Sequence, residues 1–411
     1  MRYFFVLGKT PELSVLEFFE MSKAHDSCGS RVLDKVLVVS KKEKIDVRGL
    51  MEGLGGTVKA GEIIKEAENL GKIDLGELAD FILDNVDKTK KVYFGFSILG
   101  KRQEKKKKMI MSLGLGVKKL LRNKGVKARF VTSKDEDLSS VVVKKNKLVS
   151  GQGAELVIIE RGDERGILIG RTLEVQDFSG YSKRDYGRPN RDMKVGMIPL
   201  KLARMMINIT GAGKEEEVLD PFCGEGTILQ ELAILGYKKI IGGDKDGEMV
   251  RQAKVNLDWL GVECKMENEE WSQRCSLYRG DVIKLSEVIP NNSLGAIVTE
   301  PHLGPPLKGG EGEEEIENIR RELSELYLGA FKEFKKVLKK GGVVVMVFPF
   351  FIQGERVRFL DITKEIEKIG FESVLGKRAG DLADLTERGS ILYFRPGQRT
   401  GREVFKFRVD K

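Results

Sequence analysis

The residues best suited to chemistry lie in one stretch, Val218-Leu219-Asp220-Pro221-Phe222-Cys223-Gly224-Glu225-Gly226-Thr227-Ile228-Leu229. An apolar run ends at Asp220, a tight turn follows, and a helical pattern starts at Thr227. Gly224 and Gly226 let the backbone approach a ligand with no Cβ in the way, and the helix N-terminus favours a ligand anion. A dinucleotide fingerprint would place a third glycine where Leu229 stands, and a P-loop would need Gly-Lys-Ser/Thr, so neither applies. Two further acids stand in step with the loop. Asp244 follows the next strand candidate, 24 residues after Asp220, where a carboxylate accepts both hydroxyls of a ribose. Asp281, in Arg279-Gly280-Asp281-Val282, ends the strand after that and can accept from an adenine amino group. Three acids at the carboxyl ends of three successive parallel strands would line one crevice, which reads as a nucleoside site rather than as loop residues and helix caps.

The elements that must hold these residues alternate from Gly196 onward. Strand candidates are Glu217–Leu219, Lys239–Gly243, Leu277–Arg279, Ala296–Thr299 and Val343–Phe348, with helical stretches at Thr227–Leu235, Glu248–Leu260 and Glu313–Lys340. Short, near-continuous apolar strands separated by helices predict a parallel sheet covered on both faces. The tail, Ile391–Arg395 and Val404–Val409 around Pro396-Gly397, predicts an antiparallel hairpin. Before Gly196 the chain reads as smaller α/β pieces. These are strand Tyr3–Leu7, a helix after Pro11, strand Val32–Ser40, helix Val47–Leu54, strand Thr57–Ile64 and a polar stretch Lys65–Gly76 suited to a linker. Strand Val92–Leu99, a helix over 105–123, strand Ala128–Thr132, a short helix at Leu138–Val143, and strands Glu155–Glu160 and Gly166–Gln176 follow, then a polar connector, Asp177 to Val195.

Composition narrows the class. The 411 residues carry a net charge of +9, unevenly spread, for Lys88 to Ser150 holds 19 Lys and Arg against 4 Asp and Glu. The densest run, Lys101, Arg102, Lys105, Lys106, Lys107 and Lys108, opens the helix that also carries Lys118, Lys119 and Arg122. Such a block neutralises phosphates and releases their counterions, giving salt-sensitive, sequence-independent affinity for nucleic acid; the plainer alternative is a solvated helix face. Four cysteines without a CxxC pair argue against a disulfide scaffold or zinc ribbon, and two histidines, His25 and His302, exclude a His-rich metal site. The longest apolar run, Val343 to Ile352, has ten residues against the roughly 20 of a membrane span, and the apolar start, Met1 to Leu7, is too short for a signal peptide. The expectation is a soluble, cytoplasmic chain with no metal and no membrane partner, monomeric by default.

The segment from Asp220 to Thr227 resembles the S-adenosylmethionine loop of class I methyltransferases, in the Asp-Pro-Phe-Cys-Gly-x-Gly-Thr form of RNA guanine-N2 methylases. Upstream, Arg184-Asp185-Tyr186-Gly187-Arg188-Pro189 and Gly196-Met197-Ile198-Pro199-Leu200-Lys201-Leu202-Ala203-Arg204 resemble the lead-in segment of THUMP-domain tRNA guanine-N2 methyltransferases, as does the opening Phe5-Val6-Leu7-Gly8-Lys9-Thr10-Pro11-Glu12-Leu13-Ser14. The resemblance implies an α/β protein whose Rossmann-like class I methyltransferase domain (196–411, mostly parallel sheet with an antiparallel C-terminal hairpin) follows a ferredoxin-like domain (1–75), a THUMP RNA-binding domain (76–178) and a linker (179–195). It implies S-adenosylmethionine held by Pro199, Asp220, Pro221, Phe222, Cys223, Gly224, Gly226, Thr227, Asp244, Lys245, Asp281 and Val282, and tRNA as partner. The implied reaction is methyl transfer to a guanosine N2, with position 10 favoured.

Related enzymes carry Asp/Asn-Pro-Pro-Tyr/Phe after the fourth strand; this chain has Glu300-Pro301-His302-Leu303. An exocyclic guanine amine is a poor nucleophile because its lone pair is delocalised into the ring. An acceptor and a backbone carbonyl gripping its two hydrogens localise that pair and aim it at the methyl group. Glu300 and the Pro301 carbonyl fit those parts, and the imidazole of His302 can stack on a base or take a proton. Other readings are an amino methyltransferase acting on rRNA or on DNA adenine, and an RNA-binding protein that keeps the fold without the chemistry. Cys223 reads as packing beneath the loop, Glu313–Glu315 as a charged helix start, and Trp259 and Trp271 as core or edge packing. Phe348-Pro349-Phe350-Phe351 reads as core or as the rim of the substrate mouth.

Overall fold

The computed structural model describes residues 1–23, 29–100, 106–133, 137–162, 166–191, 197–263, 274–377 and 379–410. The chain divides into two units, Met1–Val15 with Ala24–Gly180 and Leu16–Lys23 with Tyr181–Lys411.

The first unit is built on a sheet of eight strands: β1 (Arg2–Leu7), β2 (Arg31–Leu33), β3 (Val36–Ser40), β4 (Thr57–Ala67), β5 (Val92–Leu99), β6 (Ala128–Val131), β7 (Gly153–Glu160) and β8 (Ile167–Val175). Their order is β2-β3-β1-β4-β8-β7-β5-β6, and β5 runs parallel to both β6 and β7. A parallel pair needs a crossover, which the helix Lys106–Asn123 supplies between β5 and β6. Ile110, Leu113, Val117 and Leu121, three or four residues apart, bury one stripe of that helix against Phe94, Phe96 and Ile158. The boundary expected at 75/76 falls within this one sheet, because β4 pairs with β8.

Two readings change. Val32–Ser40 is the hairpin β2–β3, turned at Asp34 with φ of +55°, a backbone region that Asp tolerates better than most residues. Within Lys65–Gly76, β4 continues to Ala67, and Asp74 caps a helix, Leu75–Asp84, by accepting from the amides of Gly76 and Glu77. The stretch expected as a connector contains the helix Phe178–Tyr186.

The second unit has the predicted alternation. β9 (Glu217–Asp220), β10 (Lys239–Asp244), β11 (Cys275–Arg279), β12 (Leu294–Thr299) and β13 (Leu338–Gln353) pair in parallel. β14 (Arg356–Phe359), β15 (Phe371–Ser373), β16 (Ile391–Tyr393) and β17 (Thr400–Val409) complete the sheet, in the order β11-β10-β9-β12-β13-β17-β15 with β14 on β13 and β16 on β17. The chain starts in mid-sheet at β9, steps outward to β11 and returns on the other side at β12. The topological switch point, where such sheets bind ligands, therefore lies between the carboxyl ends of β9 and β12. β17 runs antiparallel to β13 and β16 antiparallel to β17, so the tail is the expected hairpin. The helix predicted to reach Lys340 stops at Val337, where β13 begins. Phe348, Phe350 and Phe351 are at most 2% exposed and belong to the core, which settles their two readings. No helix among the described residues is long and apolar enough to cross a membrane.

Candidate active site

Asp220 ends β9 at the switch point with its side chain buried. Its Oδ1 accepts from Thr299 Oγ1 at 2.6 Å, the last residue of β12, and from the Phe222 amide at 3.2 Å. Burial pushes the Asp220 carboxyl up to about 7; the two hydrogen bonds pull it down, and Asp244 and Glu300 nearby push it further up.

The glycine loop is shaped by close approach. Gly226 has φ of +82°, and a Cβ there would sit 3.2 Å from the Ala253 side chain; at Gly224 (φ +48°) a Cβ would meet nothing within 4 Å. The Gly224 side of the loop is open. Asp244 Oδ2 accepts from the Gly224 amide at 3.1 Å and Oδ1 from the Asp246 amide at 2.9 Å. A carboxylate offers about four lone-pair sites, so Asp244 ties down the loop and keeps acceptor capacity on both oxygens. Cys223 is buried, its amide donating to Gly243 O at 2.9 Å, and burial pushes its thiol up, so it packs as expected and is no nucleophile. Asp281 is both a strand-end acid and a cap: exposed, it accepts from the Ile283 amide at 3.2 Å. Val282 and Pro221 are buried, Phe222 is half-buried and Lys245 is exposed, while Pro199 caps the helix Leu200–Thr210. An open backbone loop flanked by a half-used carboxylate and an exposed second acid fits an adenosine moiety.

Glu300 follows β12. Its side chain is 8% exposed and carries a bidentate ion pair with Arg402 of β17, Nε to Oε1 at 2.6 Å and Nη2 to Oε2 at 3.0 Å. Burial raises the Glu300 carboxyl above its ordinary value, and the Arg402 charge opposes that. Pro301 is buried. His302 is exposed, and partial burial of its ring and the nearby Lys245 charge lower its pKa and favour the neutral imidazole. Its carbonyl accepts from Tyr327 Oη at 2.7 Å, which anchors the slot to the helix Glu313–Val337. Leu303 is half-buried. The slot and the loop thus share the carboxyl edge of the sheet, bridged by Thr299–Asp220.

Sequence reasoning missed Arg402, which stands 102 residues after Glu300; an arginine opening the apolar run Val404–Val409 was its only signal. It also missed the work of the lead-in arginines. Arg184 and Arg204 donate to the two oxygens of buried Glu231 at 2.8 and 2.6 Å, and Arg188 Nη1 donates to Thr227 Oγ1 at 2.7 Å, holding the helix behind the loop.

On the first unit, Lys101, Arg102 and Lys105 lie outside the described residues, as do His25, Cys28, Cys264, Trp271 and Gly196. Lys106 is corrected: it is 6% exposed, and its Nζ donates to Gly100 O at 2.9 Å, so it is not presented to a partner. Lys107, Lys108, Lys119 and Arg122 are exposed and Lys118 is half-buried. Trp259 packs beside Gly187. Glu313–Glu315 form the acidic first turn of their helix, and no group of His, Cys, Asp or Glu among the described residues is suited to hold a metal.

A parallel sheet entered at its centre, a glycine loop after the first strand and the antiparallel β17 inserted between β13 and β15 define a Rossmann-like methyltransferase domain. Residues 188–357 match the family described as RMKL-like, methyltransferase domain (UPF0020). Over 152 residues the chain is 31% identical to the tRNA (guanine(10)-N2)-dimethyltransferase of Pyrococcus abyssi, covering 37% of this chain and 39% of that protein. Over 146 residues it is 30% identical to a probable tRNA (guanine(10)-N2)-dimethyltransferase of Methanothermococcus thermolithotrophicus, covering 35% of this chain and 77% of that one. The TrmN crystal structure from Thermus thermophilus shares the fold along the whole of both chains, with TM-score 0.55 and 14% identity. The chain belongs to the tRNA guanine-N2 methyltransferase family. It spans less than half the length of its matched relatives from Pyrococcus, Methanothermobacter and Methanocaldococcus: 39, 41 and 47%.

Proposed function

We propose that this chain is an S-adenosylmethionine-dependent methyltransferase acting on the exocyclic N2 of a guanosine in tRNA, at position 10, the position in its relatives' names. The observation that carries this reading is the juxtaposition of an open glycine loop, tied by Asp244, with the Glu300-Pro301 slot across the Thr299–Asp220 bond. The bound donor supplies an electrophilic methyl group on a sulfonium. Asp244 accepts the ribose hydroxyls and Asp281 the adenine amino group, while the Gly224 backbone leaves room for the donor. Glu300, held by Arg402, accepts one hydrogen of the guanine amine and the Pro301 carbonyl the other. The carboxylates of Asp244 and Glu300 would stabilise the positive charge that grows on the nitrogen as its bond to the methyl group forms and the sulfur–methyl bond breaks; the neutral thioether S-adenosylhomocysteine would leave, and the amine proton would pass to Glu300 or solvent. A loss of about an ångström in this alignment costs ~10²-fold in rate, which gives the bidentate pair its purpose. The first unit, as ferredoxin-like and THUMP segments, binds the tRNA through phosphates, in the cytoplasm.

Incubation with unmodified tRNA and labelled donor, followed by nucleoside mass spectrometry, is expected to yield N2-methylguanosine or N2,N2-dimethylguanosine at position 10. Label on adenine, on rRNA in preference to tRNA, or on no base at all contradicts the proposal.

A further inference from the structure

The slot that faces the methyl acceptor carries no phenyl or phenol ring where related enzymes have Tyr or Phe: Glu300-Pro301-His302-Leu303 offers only the smaller flat ring of His302 and an aliphatic chain. A base drawn out of its stack is ordinarily read by hydrogen bonds on one edge and by a flat side chain against its face. Most rings near the slot are committed elsewhere. Tyr327 is fully buried and spends its hydroxyl on His302 O. Phe348, Phe350 and Phe351 are core. Phe222 and Tyr278 pack against that core from the loop side.

Tyr393 stands apart. It is the last residue of β16, it is half-buried, and its hydroxyl makes no hydrogen bond to a described residue. Its register partner on β17 is Arg402. Residues directly opposite in an antiparallel pair project from the same face with their Cβ atoms about 5 Å apart. Arg402 projects toward Glu300 and bonds it bidentately. Tyr393 therefore shares the face that meets the slot, and its hydroxyl lies close enough to the Arg402 guanidinium to favour that group's charge. The next residue, Phe394, turns its ring edge-on to Phe350 at 5.8 Å. β16 also runs in the direction of β13, because both are antiparallel to β17, so Tyr393 lies at the carboxyl edge where the loop and slot lie.

We propose that Tyr393 supplies the aromatic face against which the methyl-accepting base stacks, so that one strand pair, β16–β17, brings both the clamp on Glu300 and the platform for the base. This rests on the methyl-transfer reading above. A ring that stacks a base is sequence-tolerant and needs no hydroxyl, which separates it from an acid–base role.

Two measurements test it on the full chain. In steady-state assays with tRNA, Tyr393→Ala is expected to lower kcat/KM by about ten- to a hundredfold, with donor affinity by calorimetry changed less than about twofold; Tyr393→Phe stays within about threefold of the parent. Tyr393→Leu, which keeps the bulk and removes the flat face, falls like the alanine variant and serves where that one folds poorly. In the second measurement, Tyr393→Trp is titrated with tRNA in the presence of S-adenosylhomocysteine. Its emission is expected to quench beyond the change that Trp259 and Trp271 give in the parent. Quenching without methyl transfer by the parent would retain the stacking role and overturn the activity. An unchanged rate in Tyr393→Ala, an equal loss in Tyr393→Phe, no added quenching, or a loss confined to Phe394→Ala overturns the role of Tyr393.

Discussion

Thr299 Oγ1 and Asp220 Oδ1 meet at 2.6 Å across the switch point, joining the ends of the two central strands and with them the loop and the slot. The acid in that bond is fully buried, with Asp244 and Glu300 nearby, and burial pushes its carboxyl up to about 7. An unfolded Asp loses its proton near pH 4. Between those values the folded chain holds a proton that the unfolded chain has released. The sign is then fixed: stability is greatest at low pH and declines as pH rises toward 7, where the burial cost of the ionised form is fully present. Asp220→Asn cannot ionise and escapes that decline. Urea unfolding at pH 5 and pH 8 is expected to show the parent losing about 2–3 kcal/mol relative to Asp220→Asn over that interval. Parallel profiles for the two proteins would mean that Asp220 is ionised throughout.

The pair Glu300–Arg402 predicts a different pattern, in which truncation costs more than removal. Arg402→Ala strands a buried carboxylate and is expected to destabilise the protein by about 3–5 kcal/mol. The double variant Glu300→Ala/Arg402→Ala recovers most of that loss, because no charge remains unpaired. Glu300→Gln keeps the shape and one acceptor oxygen but removes the counter-charge of the buried Arg402 guanidinium, so it should lose part of that stability and still bind donor, while kcat falls about 10²-fold or more. If Glu300→Gln turns over within threefold of the parent, the carboxylate charge is not what activates the amine.

Local pattern announced the methyltransferase unit because its strands are short, apolar and separated by amphipathic helices; the ends of β9 and β10 were legible to within a residue. Distance in sequence hid the rest. Nothing near Glu300 names Arg402, and the pairing arises only because β17 folds back antiparallel beside β13. Lys106 shows the opposite failure: a lysine in a run of lysines reads as surface, yet its stem lies in the helix's buried stripe with Ile110 and its Nζ reaches Gly100 O. The helix Leu75–Asp84 was overlooked because Asp74, Gly76 and Glu77 look like a loop until the aspartate is recognised as a cap.

Gly224 and Gly226 separate binding from folding. At Gly224 a methyl group would enter the open side of the loop and touch no protein atom, so Gly224→Ala is expected to fold with a loss of about 1–2 kcal/mol from its positive φ. The intruding methyl group should weaken donor binding by at least about tenfold in calorimetry. At Gly226 the methyl group would press on Ala253 at 3.2 Å with φ at +82°, and the cost should appear in thermal stability instead. Donor affinity unchanged in Gly224→Ala would move the ligand off this loop.

The helix Lys106–Asn123 makes the last prediction. Lys108, Leu115, Lys119 and Arg122 are spaced to share one face, and all four are exposed. If that face meets phosphates, each cation neutralised on binding releases counterions and adds about 0.9 to the slope of log K against log salt on a duplex stem. Replacing Lys108, Lys119 and Arg122 by glutamine should then flatten the slope by about 3 and weaken tRNA binding most at low salt. Lys106→Gln is the informative contrast. Its ammonium is buried against a backbone carbonyl, so its loss should lower the melting temperature and leave the salt slope where it was. A slope unmoved by the triple variant would make this basic face a solvated surface and put the tRNA contacts elsewhere on the chain.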